Sequence, residues 1–399
     1  MGMIVLAAIN GAPAVAAGKK VPSTTTTTKA PTTTTTSAPA SGACNIAPAN
    51  SATAVSAAIA GCPNGTATAP TVVRFPAGAS YTFNGTVFLD RRSNVTEDLN
   101  GSTIKNSAPN TYSTYVPTVK IRLGTNVRLR NGTVAGNFNP ATVDMLGAYA
   151  AELRSNNQWN AGVAVAGGDG VWIEDLTISG VFGDGVMVLP SDADLAGGAP
   201  GAGTVSRNVH VARVTATGQA RQCVAVVAGD GFWVEDVKCK ASWYGGIDVE
   251  PDPGVASHII RNGHILRNTF DTFGLYAVAI PFDAPSGQVD GVEIRGNKTL
   301  TISPTCRAPI QTVSAEPGQV ATPGTTIANI VVEDNDVLTQ MDGIVMRDVA
   351  SGTVRNNRIE ITRANRSVGW CTDSTNPAQP VRQVNNANVV VSGNITVGY

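Results

Sequence analysis

The chain has 399 residues, of which 42% are hydrophobic, 5% aromatic and 14% charged, with 42 glycines and a formal net charge of −1. That balance gives no basic field for nucleic acid or an anionic membrane, and it supplies small, β-branched, turn-rich material for a large core. The three histidines, His210, His258 and His264, have none of the spacings of zinc ligands, which argues against a transition-metal centre.

Residues 1–17, "MGMIVLAAINGAPAVAA", read as a signal peptide, an apolar run ending in small residues; a disordered apolar tail is the alternative. Residues 18–43 carry "STTTTTKAPTTTTTSAPA", a Thr/Pro tract that cannot bury a core and reads as a disordered extracellular linker. No later apolar stretch is long enough to span a bilayer. Six cysteines, an even number, agree with export to an oxidising compartment, so a secreted or cell-surface location is expected.

Past the linker the chain repeats. "VWIEDLTISGVFGDGV" from 171, "VHVARVTATGQARQCV" from 209 and "FWVEDVKCKASWYGGI" from 232 align without gaps on one apolar pattern. Self-similarity at such a period marks a solenoid, in which each repeat buries its face on its neighbours. The core triplets are Ile173-Leu176-Ile178, Val211-Val214-Ala216, Val234-Val237-Cys239, Ile260-Gly263-Ile265, Val332-Asn335-Val337 and Val354-Asn357-Ile359. Short alternating runs broken by Gly and Asn predict strands and turns and leave no room for helices.

A second strand follows in each repeat: "DGVMV" from 184, "QCVAV" from 222, "GGIDV" from 245, "YAVAI" from 276 and "DGIVM" from 342. With Val186 and Val188 pointing inward, the two-residue period puts Met187, Ala225, Asp248, Ala279 and Val345 on the outer face. Leu189, Val227, Glu250, Pro281 and Arg347 share that face two residues on, so Asp248 and Glu250 lie side by side.

These repeats resemble the right-handed parallel β-helix of the pectin-lyase-like superfamily over roughly residues 70–399. "VVRFPAGASYTFNGTVFL" looks like its first rung, and Asn297, Asn335, Asn357 and Asn394 look like its structural asparagine ladder. The resemblance implies an all-β fold for residues 44–399, a parallel β-helix solenoid with an asparagine ladder. "CVAVVAG" followed by Cys239, with "GDGVMV" one repeat earlier, is similar to the polygalacturonase family. By that likeness Cys223 bonds Cys239 and Asp184 occupies the place of one catalytic aspartate. Arg221 and Gln222 stand where that family has its other two aspartates, and neither its Gly-His-Gly nor its Arg-Ile-Lys occurs here.

The acidic set that remains is Asp184, Asp248, Glu250 and Asp252, with Arg221 between them in repeat order. Glycoside hydrolysis needs two carboxyls, and Asp184, Asp248 and Glu250 are the catalytic candidates. Asp248, Glu250 and Asp252 form a candidate Ca²⁺ site, since hard cations take carboxylate oxygens. Arg221 reads as a carboxylate clamp, joined by Gln222, Trp243 and Tyr244 as substrate-binding candidates; turn packing is the alternative for the two aromatic side chains, and a solvated solenoid face the alternative for the acidic set. Cys44 is expected to bond Cys62 at the N-terminal end, and Cys306 to bond Cys371 across two inserts. The expectation is a monomer that acts on an extracellular, uronate-containing polysaccharide; a non-catalytic glycan-binding, adhesion or surface-structural β-helix is the alternative.

Overall fold

The computed structural model describes residues 43–108, 116–139, 160–191, 203–251, 258–281, 288–303, 307–313, 326–362 and 378–398, all within the compact unit Pro39–Tyr399. The signal peptide, the linker before residue 43, Asp252, Cys306 and Cys371 lie outside the described residues.

Nearly every described element is a strand, and every named strand pairs in parallel with its equivalent one repeat away. The apolar triplets explain why. Ile173 pairs with Val211, Val211 with Val234 and Val234 with Ile265; Ile265 then pairs with Ile294, Ile294 with Val332 and Val332 with Val354. Each member of this column is buried. No single rung could bury its own apolar face, so stacking is what removes these side chains from water. The chain is a right-handed parallel β-helix, with a 21-stranded sheet and a 10-stranded sheet around the core among the described residues.

The pairing corrects one repeat unit. Ile260-Gly263-Ile265 is out of register, because Ile265 and not Ile260 occupies the slot of Val332. The equivalent triplet is Ile265-Asn268-Phe270, and Asn268 therefore joins the ladder. Its Nδ2 donates to Asn297 Oδ1 at 3.0 Å, Asn297 to Asn335 at 3.0 Å, Asn335 to Asn357 at 2.8 Å and Asn357 to Asn394 at 2.9 Å. Before Asn268 the same slot holds Leu176, Val214 and Val237, all buried, and the stack is apolar.

The N-terminal end differs from the expectation of no helices. Helix α1 (Ala52–Gly61) starts at Ser51, whose side chain accepts from Ala54 N at 3.1 Å, and it buries Ala52, Val55 and Ile59. One face of a short helix thus covers apolar rung ends that would otherwise meet water. The expected Cys44–Cys62 disulfide ties this cap to the first rung.

Candidate functional site

Four consecutive strands of the smaller sheet carry the site: β1 (Val186–Leu189), β2 (Gln222–Val226), β3 (Gly245–Val249) and β4 (Tyr276–Pro281). Val186, Val224, Ile247 and Val278 stack in register and point into the core. Met187, Ala225, Asp248 and Ala279 form the adjacent column on the opposite face, as the alternation predicts. The Cys223–Cys239 disulfide closes the β2 rung.

The solvated character expected of that face is corrected. Met187, Ala225, Ala279, Leu189 and Val227 are buried, and Asp248 is 1% exposed. Strand alternation decides which face a side chain takes, but not whether further chain lies over that face. An apolar stripe of Ala161, Ala166, Met187, Leu189, Ala225 and Val227 runs along it and favours such cover.

The acidic residues converge. Asp184 precedes β1, is 0% exposed, and its Oδ1 accepts from the Gln222 backbone N–H at 3.0 Å. The Gln222 side chain reaches one rung further, where Nε2 donates to Asp248 Oδ2 at 2.6 Å. The Arg221 guanidinium, itself buried, stands 3.5 Å from Asp184 and 3.7 Å from Glu250, whose side chain is 37% exposed. Asp184, Arg221, Gln222, Asp248 and Glu250 are therefore one cluster.

Sequence reasoning missed Tyr276. Its hydroxyl donates to Asp248 Oδ2 at 2.5 Å and lies 3.2 Å from Gln222 Nε2. The ring fits because its register partner is Gly245, where an added Cβ would sit 2.3 Å from Tyr276 Cε2. The signal was present in "WYGGID", a glycine one rung before a tyrosine, but only the register turns it into a slot.

Tyr244 lies beside the cluster, with the Arg221 guanidinium 5.4 Å from its ring centroid and Tyr276 edge-on at 5.9 Å. Its backbone N–H donates to Arg221 O at 3.2 Å, which keeps the two residues on adjoining rungs. Trp243, the neighbouring substrate-binding candidate, is instead buried edge-on against Phe138 at 5.5 Å, in an apolar group with Ala220. Alternate residues of this turn take opposite sides, so Trp243 is packing.

Burial sets the electrostatics. It pushes the Asp184 carboxyl up to about 6, against the opposing pull of Arg221. Burial, and then the Glu250 charge, raise Asp248 well above the usual carboxylate range, with the Tyr276 hydrogen bond working the other way. Burial raises the Tyr276 hydroxyl too, followed by the negative charge of Asp248. For Arg221 burial opposes the charged form, but Asp184 and Glu250 together outweigh it and hold the guanidinium protonated. Three oxygens in the cluster, Asp184 Oδ2, Gln222 Oε1 and Asp248 Oδ1, are buried and have no hydrogen-bond partner among the described residues.

Of the three candidate Ca²⁺ ligands, Asp248 and Glu250 are described and Asp252 lies outside the described residues. Asp248 Oδ2 accepts from the Tyr276 O–H and the Gln222 N–H, so Oδ1 is the oxygen of Asp248 that could meet a cation. No group of three or more His, Cys, Asp or Glu side chains is placed to hold a metal among the described residues.

Comparison with known proteins places the fold. No family model and no curated relative matches the sequence. Among solved structures, a hyperthermoactive exopolygalacturonase from Thermotoga maritima is 11% identical with a TM-score of 0.50, over 82% of this chain and 85% of its own. The catalytic domain of Agl-KA is also 11% identical with a TM-score of 0.50, over 87% of this chain and 65% of its own. The surface adhesin PfbA of Streptococcus pneumoniae is 12% identical with a TM-score of 0.47, over 87% and 95%. At these identities the likeness is one of fold.

Proposed function

We propose that the protein is an extracellular, carbohydrate-active β-helix that cleaves a polysaccharide, with Asp248 as proton donor and Glu250 as the second carboxyl. The observation that carries this reading is the state of Asp248. Its Oδ2 accepts two hydrogen bonds, from Tyr276 and Gln222, while Oδ1 has no partner among the described residues. A carboxyl whose burial favours the protonated form, and whose one oxygen is occupied by donors, keeps its proton on the other. That is what a general acid needs in order to protonate a leaving glycosidic oxygen.

Glu250 lies two residues on, on the same face, paired with Arg221 and partly open to water. Two carboxyls in unlike surroundings are the usual means of dividing acid and base roles. Asp184, joined to Asp248 through Gln222 and to Glu250 through Arg221, orients both. Glu250 and Tyr244 form the half-open side from which a sugar chain would approach. Two disulfides among the described residues agree with an extracellular setting.

The test is a panel of neutral and uronic polysaccharides, with and without Ca²⁺, read for new reducing ends and for unsaturated products. Release of reducing ends by the parent, lost in Asp248→Asn, is expected. Turnover by Asp248→Asn at the parent rate on every active glycan would refute the assignment. The near-complete burial of Asp184 and Asp248 favours one other reading, a non-catalytic glycan-binding β-helix in which the cluster is a structural network. Binding without any product would select it.

A further inference from the structure

We infer that the glycan this site takes is neutral and hydroxyl-rich, not uronate-bearing; the inference rests on the glycan reading above. A uronate presents a carboxylate, which can only accept hydrogen bonds and needs a cation or spare donors to meet it. Arg221 is the cation of the cluster, and its guanidinium stands between two carboxyls, Asp184 and Glu250. Its side chain is buried and its charge is already shared between those two acids, so a third carboxylate would compete with both for it. The two carboxyls paired with Arg221, Asp184 and Glu250, would repel one.

The unmet hydrogen-bonding capacity points the same way. Among the described residues, Asp184 Oδ2 and Gln222 Oε1 are buried acceptors without donors, and Asp248 Oδ1 is the third oxygen without a partner. The Gln222 amide is oriented by its own bonds: Nε2 must face Asp248 Oδ2 and the Tyr276 hydroxyl, which turns Oε1 the other way. A sugar hydroxyl donates and accepts at once, so it satisfies Asp184 and Gln222 and also receives the proton-bearing oxygen of Asp248. A carboxylate offers those two acceptors nothing and leaves them desolvated, at the full penalty of an unmade hydrogen bond. Tyr244 at the half-open edge adds an aromatic ring against which the C–H face of a sugar can lie.

The experiment is calorimetric titration of the full-length protein with neutral gluco-, galacto- and manno-oligosaccharides and with oligogalacturonate and oligomannuronate, each at low and at high ionic strength. Neutral ligand should bind at least about tenfold tighter than any acidic one, with affinity insensitive to salt, because no charge pairing holds it. Gln222→Leu should weaken neutral binding by at least about tenfold, as loss of a hydrogen-bonding group does in a site built for hydroxyls. If Gln222→Leu does not fold, Tyr244→Ala, at the half-open edge, takes its place with the same direction of effect. Tighter binding of an acidic oligosaccharide, weakening as salt rises, overturns this inference and leaves the glycan reading standing. Absence of binding by either class to a folded protein, or equal binding by the parent and both variants, overturns the glycan reading and this inference with it.

Discussion

The asparagine ladder and the Asp248 cluster are both buried polar groups on neighbouring faces of one solenoid, and they follow opposite rules. Asn335 uses both ends of its amide: Oδ1 accepts from Asn297 N and Nδ2, while Nδ2 donates to Ile294 O and Asn357 Oδ1. The same residue type recurs on five successive rungs, so each copy supplies what the next one needs. In the Asp248 cluster no residue repeats from rung to rung, and three oxygens are left without partners among the described residues. A buried polar group that is fully met stabilises a turn, whereas one left unmet costs stability and is kept where a ligand can complete it.

The largest expected effect comes from breaking the cluster. Asp248→Asn should lower glycan cleavage by about 10² to 10⁴-fold, the usual contribution of a general acid. Its unfolding midpoint should barely move, because asparagine can still accept from Gln222 and Tyr276, and its neutral amide matches the protonated acid. Buried Asp248 tolerates the change through isosteric neutrality. A large fall in thermal stability with parental activity would reverse the roles of ladder and cluster.

Breaking the ladder should do the opposite. Asn335→Ala removes four hydrogen bonds and strands turn groups of Asn297 and Ile294, for a loss of about 3 kcal/mol in denaturant titration with activity per folded molecule unchanged. A loss no greater than that of an exposed substitution would show that the ladder is decoration.

A third buried polar group belongs to neither set. Glu97 stands in register between Val73 and Leu129 in the core near the N-terminal cap, and neither of its carboxyl oxygens has a partner among the described residues. Burial pushes its carboxyl from 4.5 up to about 8, with the Arg92 charge acting against the rise. The folded state therefore binds this proton over a pH range in which the unfolded chain has released it. Stability from this group is fully present below about pH 4.5 and is lost as pH climbs to about 8. Glu97→Gln should raise stability at pH 7 by roughly 2 to 3 kcal/mol and flatten its decline toward alkaline pH, measured by unfolding at several pH values. A destabilised variant at pH 7 would mean that Glu97 has a partner the geometry does not reveal.

The smallest effect sharpens the cluster itself. Tyr276→Phe removes a donor from Asp248 Oδ2, and since that hydrogen bond favours the ionised carboxyl, its loss raises the pKa of Asp248 further. The alkaline limb of the activity profile, where the acid loses its proton, should move to higher pH. Gly245→Ala should shift it in the same direction by displacing the ring from its slot. An unmoved limb in both variants would detach Tyr276 from the chemistry.

Sequence alone determined the repeating parts of this protein. Apolar triplets such as Ile173-Leu176-Ile178 and the asparagines at 297, 335, 357 and 394 fix strands, stacking and ladder, because each rung must match its neighbours and a rule obeyed many times is visible in one chain. It also placed Asp248 and Glu250 on one face by strand alternation and paired Cys44 with Cys62, while the Cys223–Cys239 pairing came from the family resemblance. What it could not yield was whatever depends on register and cover. The slip at Ile260 hid Asn268 until the pairing of Ile265 with Val234 and Ile294 was known. Tyr276 came to Asp248 only through the space above Gly245, and Trp243 went to Phe138 while its neighbour Tyr244 went to Arg221. Burial of the outer face of the smaller sheet, which turns Asp184 and Asp248 from solvated charges into carboxyls with raised pKa, was decided by tertiary structure: the two-residue period orients a side chain, and only the rest of the fold determines the dielectric it meets.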